Sequence, residues 1–202
     1  MDKQILIATF NQNKVEEIMA IAEELGFKFK FSYLRDYPNI VEVIEDGNSF
    51  QDNAVKKARG YFRQTGLITL AEDSGLCVDS LGGLPGVRSS RFAGEEKDDY
   101  KNNVKLLELL KNKSDRRAEF ICVVAVALNE DEVKIFEGRL KGRIANEMRG
   151  KYGFGYDPVF IPEGYDKTIA ELGPEIKNKI SHRRKAIQKA LEFLGSLRKG
   201  PL

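Results

Sequence analysis

Four stretches of the sequence hold residues whose types and spacing suit chemistry. The first is Thr9-Phe10-Asn11-Gln12-Asn13-Lys14, between a short apolar run and the start of a helical pattern. A helix N-terminus presents unpaired N–H groups and a positive dipole end, which suits a phosphate. Thr9 and Asn11 add hydrogen-bond donors and Lys14 a point charge; the alternative is a capped helix with a surface lysine. The second stretch is acidic: Glu42, Glu45, Asp46 and Asp52, then Glu72, Asp73 and Asp79. Glu72-Asp73 is expected at the carboxyl end of an apolar strand, where ligands bind in open α/β sheets. Magnesium takes one or two carboxylates plus waters and substrate phosphates. The alternative for each acid is an N-cap or a solvated side chain.

The third stretch is Gly153-Phe154-Gly155-Tyr156-Asp157-Pro158. Aromatics between glycines on a rigid loop suit base stacking, which contributes about 1–3 kcal/mol per base. Asp157 would accept a base N–H. The alternative is a tight turn with one buried aromatic. The fourth runs from Lys177 to Lys189, with Lys177, Lys179, Arg183, Arg184, Lys185 and Lys189 and no acidic residue among them. His182-Arg183-Arg184-Lys185 falls in the first turn of a helix, where cations oppose the macrodipole by some 0.3–1 kcal/mol each. A local rule broken this openly points to an anionic ligand that offsets it; the alternative is a solvated basic face. Together the four fit one nucleoside triphosphate.

The elements that must position these residues follow from periodicity. Gln4–Thr9 reads as a buried strand. Val15, Ile18, Met19, Ala22 and Leu25 share a helix face, with Asn13 and Glu16 as a capping box and Gly26 as the stop. Phe27, Phe29, Phe31 and Tyr33 alternate as a half-buried strand. Ser49 and Asp52 open a second helix with Phe50, Ala54, Ala58 and Tyr61 inward. Leu67–Ala71 is a short strand, Asp98–Leu110 a third helix, and Phe120–Leu128 with Val133–Arg139 a hairpin. Gly150–Pro162 reads as a structured loop. The last helix spans Ser181 to about Leu194 and ends at Gly195. Strands alternating with helices, and a late hairpin, predict an α/β fold with a mixed sheet.

Composition narrows the classes. The 202 residues make one domain, and 33 Lys+Arg against 31 Asp+Glu give a net charge of +2, which excludes a polycation or an acidic disordered tail. The longest apolar run, Phe120–Leu128, is too short to span a membrane. Met1-Asp2-Lys3-Gln4 shows no export signal. Cys77, Cys122 and the single His182 make no zinc site, so a reduced, cytoplasmic protein is expected and any metal is held by oxygen.

The ordered motifs Thr9-x-Asn11-x-x-Lys14, Glu45-x-Gly47-x-Ser49-Phe50-x-x-Asn53-Ala54, Asp73-Ser74-Gly75-Leu76, Pro85-Gly86-Val87, Gly153-Phe154-Gly155-Tyr156-Asp157-Pro158 and Ser181-His182-Arg183 resemble the inosine triphosphate pyrophosphatase family, the Ham1-like enzymes. The resemblance covers about residues 4–194. It implies an elongated single domain over 1–202 with two lobes, helices flanking the sheet and an active-site cleft between the lobes. It also implies a homodimer that uses Mg²⁺ to hydrolyse ITP, dITP and XTP to the monophosphate and pyrophosphate. Carried over by position, Thr9, Phe10, Asn11, Gln12, Asn13 and Lys14 would hold phosphates. Glu45 and Asp73 would serve the metal, with Asp73 also the catalytic proton acceptor. Ser74 would contact substrate, and Phe154, Gly155, Tyr156, Asp157, Lys177, His182 and Arg183 would surround the nucleotide. Three positions depart from the commonest pattern: Arg88 stands where Tyr often follows Pro-Gly-Val, Glu72 replaces an Asp, and Arg184 replaces a Gly.

Two other classes compete. A nucleic-acid-binding module would use Lys177–Lys189 and the aromatic loop, but the near-neutral charge and the carboxylates oppose a phosphate backbone. A Maf-like nucleotide pyrophosphatase acting on modified pyrimidines or dTTP is the nearest enzyme alternative.

Overall fold

The computed structural model describes residues 4–197; the reading of Met1, Asp2 and Lys3 as free of an export signal lies outside the described residues. Strand β1 is Gln4–Ile7, whose Ile5, Leu6 and Ile7 are all buried, as in a strand covered on both faces. It pairs in parallel with β2, Lys30–Tyr33, and with β3, Ile68–Val78, so that Ile5 faces Phe31 on one side and Ile68 on the other. Strands β4 (Arg117–Ala127), β5 (Val133–Ile144) and β6 (Phe160–Pro162) complete the order β2-β1-β3-β4-β5-β6. The last pair is antiparallel, with Arg143 opposite Ile161. The expected α/β fold with a mixed sheet and flanking helices is found.

Helix α1, Gln12–Glu24, is capped by Asn11, whose side chain accepts from the Lys14 N–H; the cap is two residues earlier than the Asn13–Glu16 spacing suggested. Helix α2, Phe50–Thr65, opens at Ser49 as expected and closes at Gly66 in the left-handed conformation. Helix α3 is Asp99–Leu109, with Asp98 as its N-cap. Helix α4, Ile169–Ile180, was not legible in the pattern. A Gly173-Pro174 pair interrupts it, and Gly173 has a non-helical φ of 82°, so no clean 3.6-residue repeat survives. Helix α5 spans His182–Ser196, so Gly195 lies inside it rather than ending it.

Strand boundaries differ from the sequence reading: β5 runs on to Ile144 and β6 lies in the stretch read as a structured loop; two differences bear on the site. Strand β2 starts at Lys30; Phe27 and Phe29 precede it but still pack on the core. Strand β3 runs on to Val78, so Glu72 and Asp73 are inside a strand rather than at its end. Pairing with β1 stops at Leu70, so both acids lie beyond the end of β1.

The chain divides into two compact units. One holds the described residues up to Asp73, Cys122–Gly138 and those from Arg183 on; the other holds Ser74–Ile121 and Arg139–His182. The first has a core of Ile5, Ile7, Ile18, Leu70, Val124, Val126, Ile187 and Leu191, in which the stripes of α1 and α5 meet strand residues. The core of the second includes Leu76, Val78, Leu106, Leu110, Phe120, Tyr156 and Phe160. Among the described residues no helix is long and apolar enough to cross a membrane.

Candidate functional site

In the first unit the site is assembled by α2. Its buried face carries Asn53 and Lys57 among Phe50, Ala54, Ala58 and Tyr61, and buried polar side chains must find partners. Asn53 Nδ2 donates to Asp73 Oδ2 at 2.9 Å, while its Oδ1 accepts from the Gly47 N–H at 2.8 Å. Lys57 Nζ donates to Glu45 Oε2 at 2.8 Å and to the Glu72 carbonyl at 2.7 Å. Two residues one turn apart thus tie the irregular segment bearing Glu45 to the strand bearing Asp73. Gly47 is required at this approach, since a Cβ there would lie 2.7 Å from Asn53 Oδ1.

Successive strand residues point to opposite faces, so Glu72 and Asp73 have different company. Lys14 Nζ lies 2.5 Å from Glu72 Oε1 and Arg183 Nη2 lies 3.7 Å from Glu72 Oε2. The Cys122 thiol donates to Glu72 Oε2 at 3.3 Å. Arg183 is also ion-paired with Glu17, and Arg184 Nη1 is 2.6 Å from Glu24. Burial alone would raise the Glu72 carboxyl, but the Lys14, Arg183 and Lys57 charges outweigh it and hold it well below the ordinary glutamate range. Asp73 goes the other way. Burial pushes its pKa up, Lys57, Lys14 and the Asn53 hydrogen bond oppose this, and the Glu45 charge adds to the rise. Lys14, Glu45 and Lys57 therefore all act on the Asp73 carboxyl.

The Thr9–Lys14 segment forms the turn into α1. Asn11 N–H donates to Thr9 Oγ1 at 3.1 Å, and Asn11 Oδ1 takes the Lys14 N–H at 3.3 Å. The amides of Gln12 and Asn13 have no intrahelical acceptor, as at any helix start. Phe10 is exposed, and Ser74 follows Asp73 half-buried.

In the second unit Asp157 organises the aromatic loop. Its Oδ2 accepts from Lys177 Nζ at 2.7 Å and from the Phe154 N–H at 3.0 Å, and both charged side chains are buried. Lys177 Nζ also sits 4.2 Å from the centre of the half-buried Phe154 ring. A Cβ on Gly153 would fall 2.0 Å from Asp157 Oδ2, so only glycine permits this carboxylate position. Tyr156 belongs to the core and its hydroxyl donates to the Ser89 carbonyl at 2.8 Å. Of the two aromatics expected to stack a base, Tyr156 is thus a core residue and Phe154 is half-buried. His182 is buried and stacks on Phe120 with ring centres 4.7 Å apart.

The basic run Lys177–Lys189 is not the unbalanced patch that its sequence suggests. Carboxylates distant in sequence answer the opening turn of α5: Glu17 and Glu72 for Arg183, and Glu24 for Arg184. Lys177 is paired with Asp157, and Lys179 with Glu175. An anionic ligand is not needed to offset the helix dipole. Sequence reasoning gave no role to Asn53, Lys57 or Glu17. A lysine and an asparagine inside the apolar stripe of α2 were the available signal.

The fold is α/β, and this corner sets the carboxylates of Glu45 and Glu72 against the ammonium groups of Lys57 and Lys14. The Ham1 family model matches residues 5–193, and the chain belongs to the Ham1 family. A dITP/XTP pyrophosphatase of Desulforamulus reducens is 46% identical over 196 residues, which is 96% of each chain. The Bacillus subtilis dITP/XTP pyrophosphatase is 45% identical over 194 residues, covering 95% of this chain and 97% of its own. Among solved structures, a HAM1 protein from Coxiella burnetii superposes with a TM-score of 0.88 at 40% identity, over 96% of this chain and 99% of that one.

Proposed function

We propose that this chain hydrolyses ITP, dITP and XTP to the nucleoside monophosphate and pyrophosphate. The observation that carries the reading is the corner built by Asn53 and Lys57, which holds Glu45 and Asp73 in each other's field beside Lys14. The donor set fits magnesium. Two carboxylates that repel one another gain from a shared divalent cation, and magnesium completes its shell with waters and phosphate oxygens. Glu45 and Asp73 would hold it, and when bound it would neutralise charge on the phosphate oxygens.

In the reaction a water oxygen bonds to the α phosphorus and the α-phosphorus–bridging-oxygen bond breaks. The water proton goes to the Asp73 carboxylate, and pyrophosphate leaves with the bond electrons. A carboxyl raised by burial is a better proton acceptor than an ordinary aspartate. Lys14 and the first-turn amides of α1 hold the departing pyrophosphate, and Glu72 keeps the ammonium in place. Phe154 stacks the base. Hypoxanthine and xanthine offer O6 as acceptor and N1–H as donor, whereas adenine offers the reverse. With Arg183 committed to Glu17 and Glu72, the donor toward O6 falls to His182. Pockets that pair with polar edges reject the wrong analogue by about 10⁴-fold.

The deciding experiment incubates the protein with Mg²⁺ and ITP and resolves the products. IMP plus pyrophosphate supports the reading; IDP plus orthophosphate overturns it. Comparable kcat/KM for ATP and ITP contradicts the base selection. The proposal extends to a homodimer in the cytoplasm, for which the two free thiols, Cys77 and Cys122, are supporting observations as to compartment. Sedimentation at micromolar concentration tests the dimer.

A further inference from the structure

One helix holds both backbone polar groups of Gly155. The Gly155 N–H donates to Asp99 Oδ2 at 2.7 Å, and the Gly155 carbonyl accepts from Asn103 Nδ2 at 2.8 Å. Asp99 and Asn103 are one turn apart on α3, and Asn103 Nδ2 also donates to the Asp99 carbonyl at 2.7 Å. Asn103 is 2% exposed, and its amide nitrogen donates to two carbonyls, those of Asp99 and Gly155. Gly155 has a φ of +62°, yet nothing lies within 4 Å of where its Cβ would be. No crowding at the Cβ position accompanies the left-handed turn; the two hydrogen bonds to α3 are what tie it down.

The neighbouring residues are tethered from other directions. The Tyr156 hydroxyl is tied to Ser89, and Asp157 is tied to Lys177 and the Phe154 N–H. Phe154 lies between these tethers, half-buried, with Lys177 Nζ 4.2 Å from its ring centre. A loop with left-handed glycines at 153 and 155 has many conformations open to it. If binding had to select one of them, the ordering entropy would be charged against affinity for the base.

We propose that Asp99 and Asn103 are positioning residues that hold the Phe154 ring ready for the purine base, a role that rests on the nucleotide reading above. They act through the Gly155 peptide, and proton transfer at Asp73 uses neither.

The test compares Asp99→Ala, Asp99→Asn and Asn103→Leu with the unaltered protein. It reads kcat and KM for ITP, together with competitive inhibition by inorganic tripolyphosphate, which has no base. The expected result for Asp99→Ala and Asn103→Leu is a KM for ITP raised about tenfold with kcat within about twofold, the loss of one well-made hydrogen bond in the bound state. Tripolyphosphate inhibition stays unchanged, and Asp99→Asn, which keeps an acceptor, restores the KM. An unmoved KM in Asp99→Ala overturns the proposal, as does a parallel weakening of tripolyphosphate, which would mean general loosening. Asp99→Leu, which also lacks an acceptor, serves with the same readouts if Asp99→Ala does not fold by circular dichroism. If the unaltered protein fails to turn over ITP, the functional reading itself is at fault, whereas normal turnover with an unmoved KM removes only the positioning role.

Discussion

Two adjacent carboxylates on one strand are driven in opposite directions, and their substitutions should differ accordingly. Glu72 is held ionised by Lys14, Arg183 and Lys57. Its contribution to stability is complete above the 4.5 of an ordinary glutamate and is lost as the pH falls below that. Glu72→Gln leaves buried cations without their partner and is expected to cost about 3–5 kcal/mol near neutrality. Urea midpoints from pH 7 to pH 3 should show that the variant has also lost acid sensitivity in this window. Asp73 is pushed up, chiefly by burial, so its ionisation opposes folding. That cost is absent below the ordinary 3.8 and grows as the pH rises toward the raised value. Asp73→Asn is therefore expected to stabilise the metal-free protein at pH 7 while lowering kcat by about 10³-fold or more, with nucleotide binding retained in calorimetry. Near-normal turnover in that variant removes Asp73 from the mechanism.

At the scale of elements, α2 decides the geometry of the candidate site. Its stripe was legible from Phe50, Ala54, Ala58 and Tyr61, and Ser49 marked its start. The partners of Asn53 and Lys57 were not, because they lie 20 and 15 residues away in sequence, on β3, and nothing local specifies them. Gly47 is the point where this geometry is tightest. Gly47→Ala places a methyl against Asn53 and Asp52 side chains. It should displace the Glu45 segment and lower kcat about 10²-fold, with a smaller change in thermal midpoint than in activity. Calorimetry and initial rates on the same preparation separate the two effects. Helix α4 teaches the converse lesson. Its capping box at Thr168 and Glu171 was present in the sequence, but Gly173 and Pro174 hid the repeat that would have announced a helix. The start of α5 misled for a related reason: cations in a first turn read as an unmet charge until Glu17, Glu24 and Glu72 are brought beside them.

For the whole molecule the expected dependence on a divalent cation is the sharpest test. Treatment with EDTA should abolish ITP hydrolysis, and added Mg²⁺ should restore it; turnover that survives complete chelation, confirmed by elemental analysis, would remove the ion from the proposal. The sequence by itself determined what is local or ordered along the chain. The alternation of strands and helices, the cap at Ser49, the inward stripes and the serial order of the motifs depend on neighbours three or four residues apart, or on residue identity alone. Tertiary structure decided which charges meet. It paired Arg183 with Glu17 and Glu72, sent Tyr156 into the core while leaving Phe154 half-exposed, and gave two consecutive acids opposite environments. The physical reason is that ionisation and exposure depend on distances through space and on burial, which a strand sets by its pleat and its neighbours rather than by the order of its residues.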